Sequence, residues 1–450
     1  MAVAITQELG RFISGLRYAD IPAEAIAVMK MGFADSIGVM IVGAKEPAAT
    51  TLRSVLAAPA GPSRLFWGAD TAPAPEAAFI NGVAGHALDY DDVAQRGHPS
   101  TVLMPAIIAE AQVLGASGEE MLCAYAAGYE TWAELVRRDP DQHHEKGWHP
   151  TGIFGAIAAA AACARLHHLN AEQTTHAIAL GASQSAGLMA NFGTMTKPFH
   201  AGRSAQSGLL AARLAKAGFT ASPDALEHPQ GYLSAVSPAR KVDRDSPVEA
   251  GRVWKLVSAR LGIKKYPLCY CTHRILDATF DMIAATPIAY ADVRRVVVHT
   301  SRHFATILRN ALPQTGLEAK FSMQFAVSSM LVVGRAGLLE LQDHFVTSPE
   351  IQSLMKRVVI EPDDREDPAT PGKLPFDCLT VEMNDGRVIE SRQVKHIRGG
   401  AELPLSRDAL WGKFEDCVKS APVNIPALEV FNALMSLETV ANVNQMQYAS

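Results

Sequence analysis

The 450-residue chain has few of the features that mark secreted, membrane-bound or metal-binding proteins. Its six cysteines are scattered and lack the spacing of a disulfide framework, a zinc site or an iron–sulfur cluster, so we expect free thiols and no bound metal. No uninterrupted apolar run reaches the roughly 18 residues of a membrane span, and the first residues lack the basic start of a signal peptide. These absences predict a cytoplasmic protein that does not partner a membrane.

The chain also lacks a strong excess of charge of either sign. The formal net charge is -5 and the isoelectric point is about 6.3, with the basic residues dispersed, so the sequence offers no footprint for nucleic acid. Hydrophobic residues make up 48% of the chain, which is ample for sizeable cores. Because 450 residues exceed a usual single domain, we expect two domains.

The first half of the sequence has the pattern of a helical domain. Ser117 with Glu120 and Asn170 with Gln173 have the spacing of capping boxes, each just before an apolar helical pattern. The alanine-rich run at residues 155–164 is too poor in polar residues for a surface, and it predicts a buried central helix that neighbouring helices approach closely.

The pattern changes after about residue 265. Short β-branched runs at residues 293–300 and 357–361 predict strands, and residues 378–391 predict a hairpin that turns at Asn384-Asp-Gly386. Residues 317–331 have helical periodicity up to Gly334, and the tail from Ser406 is again helical. We therefore expect a mainly α protein with a large all-helical domain at residues 1–265, a smaller α+β lid domain at 266–398, and a helical return at 399–450 that packs on the first domain.

Three segments place ionisable side chains beside glycine or proline at the edges of helical patterns. They are residues 86–100, 146–152 and 191–202, and they contain Asp89, His98, His149 and Lys197. Together these groups can supply a proton acceptor, a proton donor and a cationic anchor, which suits a small anionic substrate such as a carboxylate. A histidine before proline can equally hydrogen-bond a backbone carbonyl at a turn, and Asp91 and Asp92 are interpreted as capping or solvated carboxylates.

Several motifs in order along the chain resemble the MmgE/PrpD family, which includes 2-methylcitrate dehydratase, cis-aconitate decarboxylase and iminodisuccinate epimerase. They are Asn-Gly-Val-Ala-Gly-His-Ala at residues 81–87, Lys-Lys-Tyr-Pro-Leu-Cys-Tyr-Cys-Thr-His at 264–273 and Glu-Ala-Lys-Phe-Ser-Met-Gln-Phe at 318–325. The resemblance implies a large helical domain, a smaller α+β lid, a homodimer, and an active site between the domains with no metal or organic cofactor.

The resemblance also implies site residues. The positions that match the family's motifs are Asp89, His98, His149, Lys197 and Lys264. Lys197 and Lys264 would stabilise charge on substrate carboxylates, and His98 or His149 would exchange protons near neutral pH, with Asp89 orienting one imidazole. Two further residues are candidates for substrate binding: Arg203, which could clamp a second carboxylate, and His200, for which a structural role is the alternative.

The residues favour one reaction class but leave alternatives. Val93 stands where the decarboxylase pattern has threonine, and Phe325 stands near an expected tyrosine, so both positions lack a hydroxyl. These two positions argue against a decarboxylase, and the segments at residues 96–100, 147–151 and 191–197 are closer to the epimerase branch of the family. We expect a cofactor-independent lyase of the 2-methylcitrate dehydratase type that removes a proton next to a carboxylate of a small di- or tricarboxylate. The alternatives are an epimerase of an iminodisuccinate-like dicarboxylate, a decarboxylase like that of cis-aconitate, and a non-catalytic carboxylate-binding protein.

Overall fold

The computed structural model describes residues 3–368, 374–421 and 423–448 of the chain. It is 55% helical with 8% strand, which confirms the prediction of a mainly helical fold with a smaller α+β part. The chain divides into two compact units: the first runs as far as Ile263 and resumes at Ser406, and the second comprises Lys264–Leu405. The six cysteines are free thiols, and five of them are buried.

The first unit is built from helices. They are α1 (Ile5–Gly15), α2 (Ala23–Gly43), α3 (Pro47–Leu56), α4 (Ala74–Ala87), α5 (Ser100–Leu114), α6 (Gly118–Arg138), α7 (Pro150–Leu166), α8 (Ala171–Ala182), α9 (Thr196–Lys216), α10 (Tyr232–Val236), α11 (Lys255–Ser258), and, after the second unit, α18 (Arg407–Lys419) and α19 (Ala427–Met435). Short 3₁₀ helices lie at Tyr18–Asp20, His143–Lys146, Met189–Asn191, Leu437–Thr439 and Val443–Gln445. Strands β1 (Ser63–Arg64) and β2 (Thr71–Ala72) form a small antiparallel ribbon.

The predicted capping boxes start two of these helices. The Ser117 side chain accepts a hydrogen bond from the Glu120 backbone N–H at the start of α6, and Asn170 accepts one from Gln173 at the start of α8. In both boxes the third residue bonds back to the cap, which satisfies two backbone donors that a helix start leaves unpaired. These local contacts explain why the helix starts could be read from the sequence.

Helix α7 is the buried centre of the first unit, as the alanine-rich run predicts. Every residue of α7 except Arg165 is buried, and the helix packs against α5, α6, α8 and α9. Glycines allow similarly close contacts where α4 meets α9: a Cβ built on Gly202 would lie 2.3 Å from the carbonyl oxygen of Phe79. Small side chains therefore set the helix spacing around α7, and with it the positions of the helix starts.

Helix α2 is long and apolar enough to cross a membrane by length and composition, although its polar residues interrupt every long apolar run. In the structure 78% of its most apolar stretch is buried inside the unit, as in the core helix of a globular domain. Helices α18 and α19 of the tail pack against α2, with Leu410 and Phe414 of α18 buried. The C-terminal segment is thus part of the same core as α2.

The second unit combines a four-stranded sheet with helices. The helices are α12 (His273–Ala285), α13 (Arg302–Ile307), α14 (Gly316–Ala319), α15 (Met323–Val333), α16 (Asp343–Val346) and α17 (Pro349–Met355), with 3₁₀ helices at Tyr270–Thr272, Tyr290–Asp292 and Leu339–Leu341. The strands are β3 (Val293–Ser301), β4 (Val358–Asp363), β5 (Cys378–Met383) and β6 (Val388–Glu390), in the order β4-β3-β5-β6.

All four strands occupy the segments that the sequence predicts. β3 pairs with β4 in parallel and with β5 antiparallel, and β5 and β6 form the predicted hairpin, whose turn contains Gly386 at φ 90°. The single helix expected at residues 317–331 is instead two helices, because Ser322 caps a new start by accepting a hydrogen bond from the Phe325 N–H. The second of them, α15, ends at Gly334 as expected.

Candidate active site

The site lies in the first unit, where three helix starts meet. Residues 88–98, which we call the carboxylate loop, connect α4 to the start of α5, and His149 precedes α7 while Lys197 lies in the first turn of α9. The backbone N–H of His98 donates to the hydroxyl of Thr151 at 3.2 Å, which joins the start of α5 to that of α7. The fold therefore brings together Asp89, His98, His149, Lys197 and His200 from positions that are far apart in the sequence.

Lys197 and Asp89 form a buried ion pair at this point. The Nζ atom of Lys197 lies 2.6 Å from Oδ1 of Asp89, and both side chains are 8% exposed. Lys197 also lies over the ring of Phe192, 5.3 Å from its centroid. Asp89 adopts a left-handed backbone conformation with φ 52°, which a non-glycine residue keeps only where its surroundings hold it. The pair is thus a fixed feature of the site, with a cation that an anionic ligand can share.

Asp91 sits between two imidazoles. Its Oδ1 lies 2.9 Å from Nδ1 of His86, and its Oδ2 lies 3.0 Å from Nδ1 of His98. Burial by itself would raise the pKa of Asp91, but the His86 and His98 imidazoles beside it and their hydrogen bonds outweigh burial and hold that pKa well below its usual range. Asp91 is therefore an ionised, fully buried acceptor, and its interpretation as a capping or solvated carboxylate is wrong.

These contacts fix which nitrogen of His98 is available. Its Nδ1 lies 3.0 Å from both the Asp91 carboxylate and the backbone carbonyl oxygen of Asp92, two acceptors that require a proton on Nδ1. In the neutral imidazole the lone pair is then on Nε2, which lies 3.8 Å from Oδ1 of Asp89. Asp91, more than Asp89, orients this imidazole, and Nε2 is the atom that can accept a proton.

A second imidazole pair lies at the starts of α7 and α9. The Nδ1 atoms of His149 and His200 are 3.0 Å apart, so one nitrogen donates and the other accepts. The backbone N–H of His149 donates to the carbonyl oxygen of Gly187, and its ring meets the Phe192 ring edge-on at 4.8 Å. His149 is thereby held in place with its Nε2 turned away from the pair.

Burial and nearby positive charge favour the neutral forms of these imidazoles. Burial, with Lys197 and the other imidazoles, holds the pKa of His149 well below its usual range. Burial also lowers the pKa of His86 and of His200 to about 4 in each case, with Lys197 acting in the same direction. At neutral pH these rings are therefore available as proton acceptors. Each can act as an acid toward the substrate only after it has accepted a proton and become an imidazolium.

Asp92 is, like Asp91, shielded from solvent. It is fully buried, and burial together with the neighbouring carboxylates Asp35 and Asp91 holds its pKa well above its usual range. Its interpretation as a capping or solvated group is therefore also wrong. A protonated Asp92 adds no negative charge beside the ionised Asp91.

Four ligand-type side chains come close enough to hold a metal ion. One ligand atom from each of His86, Asp89, Asp91 and His98 lies within 4.8 Å of the others. The fit is poor, because Lys197 already neutralises Asp89 and both Asp91 oxygens lie within hydrogen-bond distance of imidazole nitrogens. A divalent ion would have to displace an ammonium group and break these bonds. The arrangement suits proton transfer better than metal binding.

Of three further residues from the sequence analysis, Arg203 belongs to the first unit, and Lys264 and Phe325 belong to the second. Arg203 is exposed on α9 and donates to Gln206 on the same helix, so it does not join the buried cluster. Lys264 begins the second unit and is 1% exposed, while Phe325 is fully buried in a hydrophobic core of that unit. The roles proposed for Arg203 and Lys264 stay predictions. Val93 lies in the carboxylate loop, where its backbone pairs with Gly262.

His86 and Asp91 are the residues of the cluster that the sequence analysis missed as site residues. His86 lies in the last turn of α4, and its ring is 4.4 Å from that of His98 and 6.0 Å from that of His149, centroid to centroid. The available signal was the spacing of five residues between His86 and Asp91 across a helix end, within a motif already singled out. Only burial distinguishes such a pair from a solvated one.

The fold and the site define a two-unit, mainly helical protein with buried imidazoles, carboxylates and a lysine where helix starts converge. The MmgE/PrpD N-terminal domain matches residues 7–245, and the MmgE/PrpD C-terminal domain matches residues 266–425. The chain belongs to the MmgE/PrpD family, as its motifs suggested.

Curated relatives span nearly the whole chain. Human cis-aconitate decarboxylase is 26% identical over 92% of this chain and 88% of its own length. The mouse cis-aconitate decarboxylase is also 26% identical, over 92% of this chain and 86% of its own. A cis-aconitate decarboxylase-like protein of Aspergillus oryzae is 26% identical over 98% and 96%. Two of these relatives are thus named as decarboxylases of cis-aconitate, and the third as similar to one.

Proposed function

We propose that the chain is a cofactor-independent lyase that removes a proton from the carbon next to a carboxylate of a small di- or tricarboxylate. The observation that carries this proposal is the pair of oriented imidazoles, His98 and His149, beside the buried Lys197–Asp89 ion pair. A proton acceptor and a fixed cation are what such a reaction needs, because negative charge builds on the substrate carboxylate as the proton leaves.

Three helix starts add to the attraction for an anion. Helices α5, α7 and α9 are 15, 17 and 21 residues long, and each begins within two residues of His98, His149 or Lys197. The N-terminal end of a helix carries partial positive charge and backbone N–H groups that favour anions. Together with Lys197, these ends support a carboxylate ligand over a neutral or cationic one.

For dehydration, the roles divide as follows. The Nε2 of His98 or His149 takes the proton from the carbon next to the carboxylate, and the C–H electron pair becomes the new C=C bond. The C–O bond to the hydroxyl group breaks, and the imidazolium formed in the first step gives that proton to the leaving hydroxide, which departs as water. Lys197 stabilises the carboxylate charge throughout, while Asp91 keeps His98 in the reactive tautomer.

Decarboxylation of a cis-aconitate-like acid is the second candidate, because the relatives that span the chain are named for it. That reaction breaks a C–C bond, releases carbon dioxide and then needs an acid to protonate the carbon. We place dehydration first because Val93 and Phe325 lack the hydroxyl groups of the decarboxylase pattern. Both reactions use the same imidazoles and the same cation.

A substrate panel in deuterated water, followed by proton NMR, tests the proposal. The panel contains 2-methylcitrate, citrate, cis-aconitate, malate and aspartate-like acids, and a variant with both His98→Gln and His149→Gln is the matched control. We expect loss of water from a hydroxylated acid, with deuterium entering at the carbon next to a carboxylate in the wild type only.

Each other outcome decides among the alternatives. Carbon dioxide release from cis-aconitate would replace dehydration by decarboxylation, and deuterium exchange with inversion but no net loss would indicate an epimerase. Saturable binding of an acid with neither exchange nor turnover would indicate a non-catalytic binding protein and overturn the proposed reaction.

A further inference from the structure

The C-terminal helix α18 places a buried lysine behind the carboxylate loop. Lys413 is 7% exposed and shares the buried side of α18 with Leu410, Phe414 and Cys417. This helix packs against α2, and it belongs to the same compact unit as the candidate active site although it lies more than 300 residues further along the chain. A buried ammonium group is costly unless its surroundings compensate it, so its partners indicate what it does.

Those partners tie the helix to the loop. Nζ of Lys413 lies 2.5 Å from Oδ1 of Asp35, a fully buried residue of α2. It donates to the backbone carbonyl oxygen of Tyr90 at 2.7 Å and lies 3.8 Å from the centroid of the Tyr90 ring. One ammonium group therefore holds both the backbone and the side chain of Tyr90, while Asp35 supplies the compensating charge.

Tyr90 lies between the two carboxylates of the loop that contact the lysine and the imidazoles of the site. It stands between Asp89, which pairs with Lys197, and Asp91, which orients His86 and His98. Asp89, the residue before Tyr90, has a φ of 52°. This left-handed backbone conformation is unfavourable for aspartate unless surrounding contacts hold it. A shift of the Tyr90 carbonyl would move both neighbouring carboxylates, and with them the two contacts that define the site.

We propose that Lys413 is a positioning residue that holds the carboxylate loop in the geometry required for proton transfer. Its contacts with the loop are to the carbonyl oxygen and the ring of Tyr90, and its positive charge also opposes the rise in the pKa of the buried Asp92. The kinetic consequence rests on the proposed function, whereas the effect on loop geometry does not. The two can therefore be tested separately.

Four variants separate positioning from folding. Lys413→Met removes the charge, and Lys413→Met combined with Asp35→Asn also removes the carboxylate that would otherwise be left buried without its partner. Lys413→Arg keeps the charge, and Lys419→Met on the same helix is the matched control, because Lys419 is exposed and pairs only with Glu415 among the contacts described. Thermal unfolding selects the variants that remain folded.

Hydrogen–deuterium exchange followed by mass spectrometry measures how well the backbone amides of the loop are protected, and it needs no substrate. In the folded double variant we expect faster exchange in peptides that cover residues 88–98, with exchange in α8 unchanged. Lys413→Arg should restore part of the protection, and Lys419→Met should match the wild type. Unchanged loop exchange in a folded double variant would overturn the proposal, whatever the enzyme's reaction proves to be.

Steady-state turnover of the acid identified by the substrate panel is the second measurement. We expect the double variant to lose on the order of 10²-fold in kcat with at most about a threefold change in KM, since misplaced proton-transfer groups slow the chemical step more than they weaken binding. Lys413→Arg should recover part of kcat. A kcat equal to that of Lys419→Met would overturn the catalytic part. If no acid reacts with the wild type, the proposed function fails and the exchange experiment still decides whether Lys413 holds the loop.

Discussion

Asp91 accepts hydrogen bonds from two imidazoles at once, and the chemistry of the site depends on this carboxylate. With Nδ1 of both His86 and His98 turned toward it, each ring presents Nε2 on its other side. Nε2 of His98 lies 3.8 Å from Oδ1 of Asp89, whereas Nε2 of His86 is buried without a hydrogen-bond partner among the described residues. His98 is therefore the proton acceptor of this pair, and His86 is the ring that supports it through Asp91.

Replacing the histidines and the lysine should have different kinetic effects. His98→Gln and His149→Gln should lower kcat by on the order of 10²-fold or more with a modest change in KM, the usual effect of losing a positioned acid or base. Lys197→Ala should raise KM as well as lower kcat, because it removes the cation that the substrate carboxylate shares. Steady-state kinetics of the three variants measure both effects.

Two exposed substitutions serve as controls for these kinetics. Lys216→Ala lies at the far end of the same helix as Lys197, and His344→Gln replaces an exposed histidine. Both should keep wild-type kinetics. Near-normal turnover in both site-histidine variants, with folding intact, would assign the proton transfers to other residues, first to Asp89 and Lys264.

The free energy of unfolding should fall as the pH drops below neutrality. Burial lowers the folded-state pKa of His86 to about 4, whereas an unfolded histidine titrates near its usual 6.5. Between these values the unfolded chain binds more protons, so the contribution of His86 to stability is complete above pH 6.5 and is lost progressively as the pH falls toward 4. From pH 6.5 to 5 the loss from this residue is about 2 kcal/mol, at about 1.4 kcal/mol per pH unit.

Urea unfolding at pH 7 and pH 5 measures this effect. His86→Gln should show a smaller difference between the two pH values than the wild type, and His344→Gln should show the same difference as the wild type. An equal pH dependence in His86→Gln and wild type would mean that His86 is not held neutral by burial.

At the scale of elements, the spacing of α7 and α9 decides where His149 and Lys197 stand. Both residues lie at the first turns of these helices, and the helices meet along small side chains. A Cβ built on Gly208 of α9 would lie 2.4 Å from Cβ of Ala159 and 2.5 Å from the backbone nitrogen of Ala160. Because backbone atoms of α7 cannot move aside alone, any larger residue at Gly208 has to push the helices apart.

Gly208→Ala should therefore destabilise the protein in spite of alanine's better helix propensity. We expect a loss of about 1–3 kcal/mol from overpacking, measured by urea unfolding. Gly412→Ala on α18 is the matched control, since a Cβ there meets nothing within 4 Å, and it should be neutral or stabilise by up to about 1 kcal/mol. Equal effects at both positions would show that the contact between α7 and α9 is not tight.

At the scale of the whole molecule, the division of the chain into two compact units agrees with the two domain types of the family. The helical unit contains the imidazoles, the carboxylates and Lys197 of the cluster, and the second unit has its own sheet and hydrophobic cores. The family's two domain types match the two parts of the chain in order. The homodimer and the cytoplasmic location expected from the sequence stay predictions, which light scattering of the purified protein and imaging of a tagged protein in cells can check.

The whole protein should work without a metal ion. Exhaustive chelation should leave turnover unchanged, and elemental analysis should find no stoichiometric zinc or iron, because Lys197 and the imidazole hydrogen bonds already occupy the carboxylates of the His86–Asp91 region. Loss of activity on chelation that one particular metal restores would contradict this mechanism, and the four-residue cluster would then be the first place to look for the ion.

The sequence by itself determined the features that depend on neighbours along the chain. The starts of α6 and α8 follow from capping boxes, and the β5–β6 hairpin turns at Gly386 because glycine tolerates its positive φ. The family motifs likewise singled out the segments that carry the site. In each case the decisive contacts span a few residues, so a local pattern is sufficient to predict them.

Only the tertiary structure decided which of the singled-out groups meet, and in what protonation state. Asp91 and Asp92 are adjacent and chemically identical, yet the first is ionised between two imidazoles and the second has a raised pKa beside Asp35. Lys413 hydrogen-bonds to Tyr90, which is 323 residues away in the sequence, and no local sequence pattern predicts this contact. Burial removes water from these groups, so their charge depends on partners that chain folding supplies, and sequence spacing carries no information about those partners.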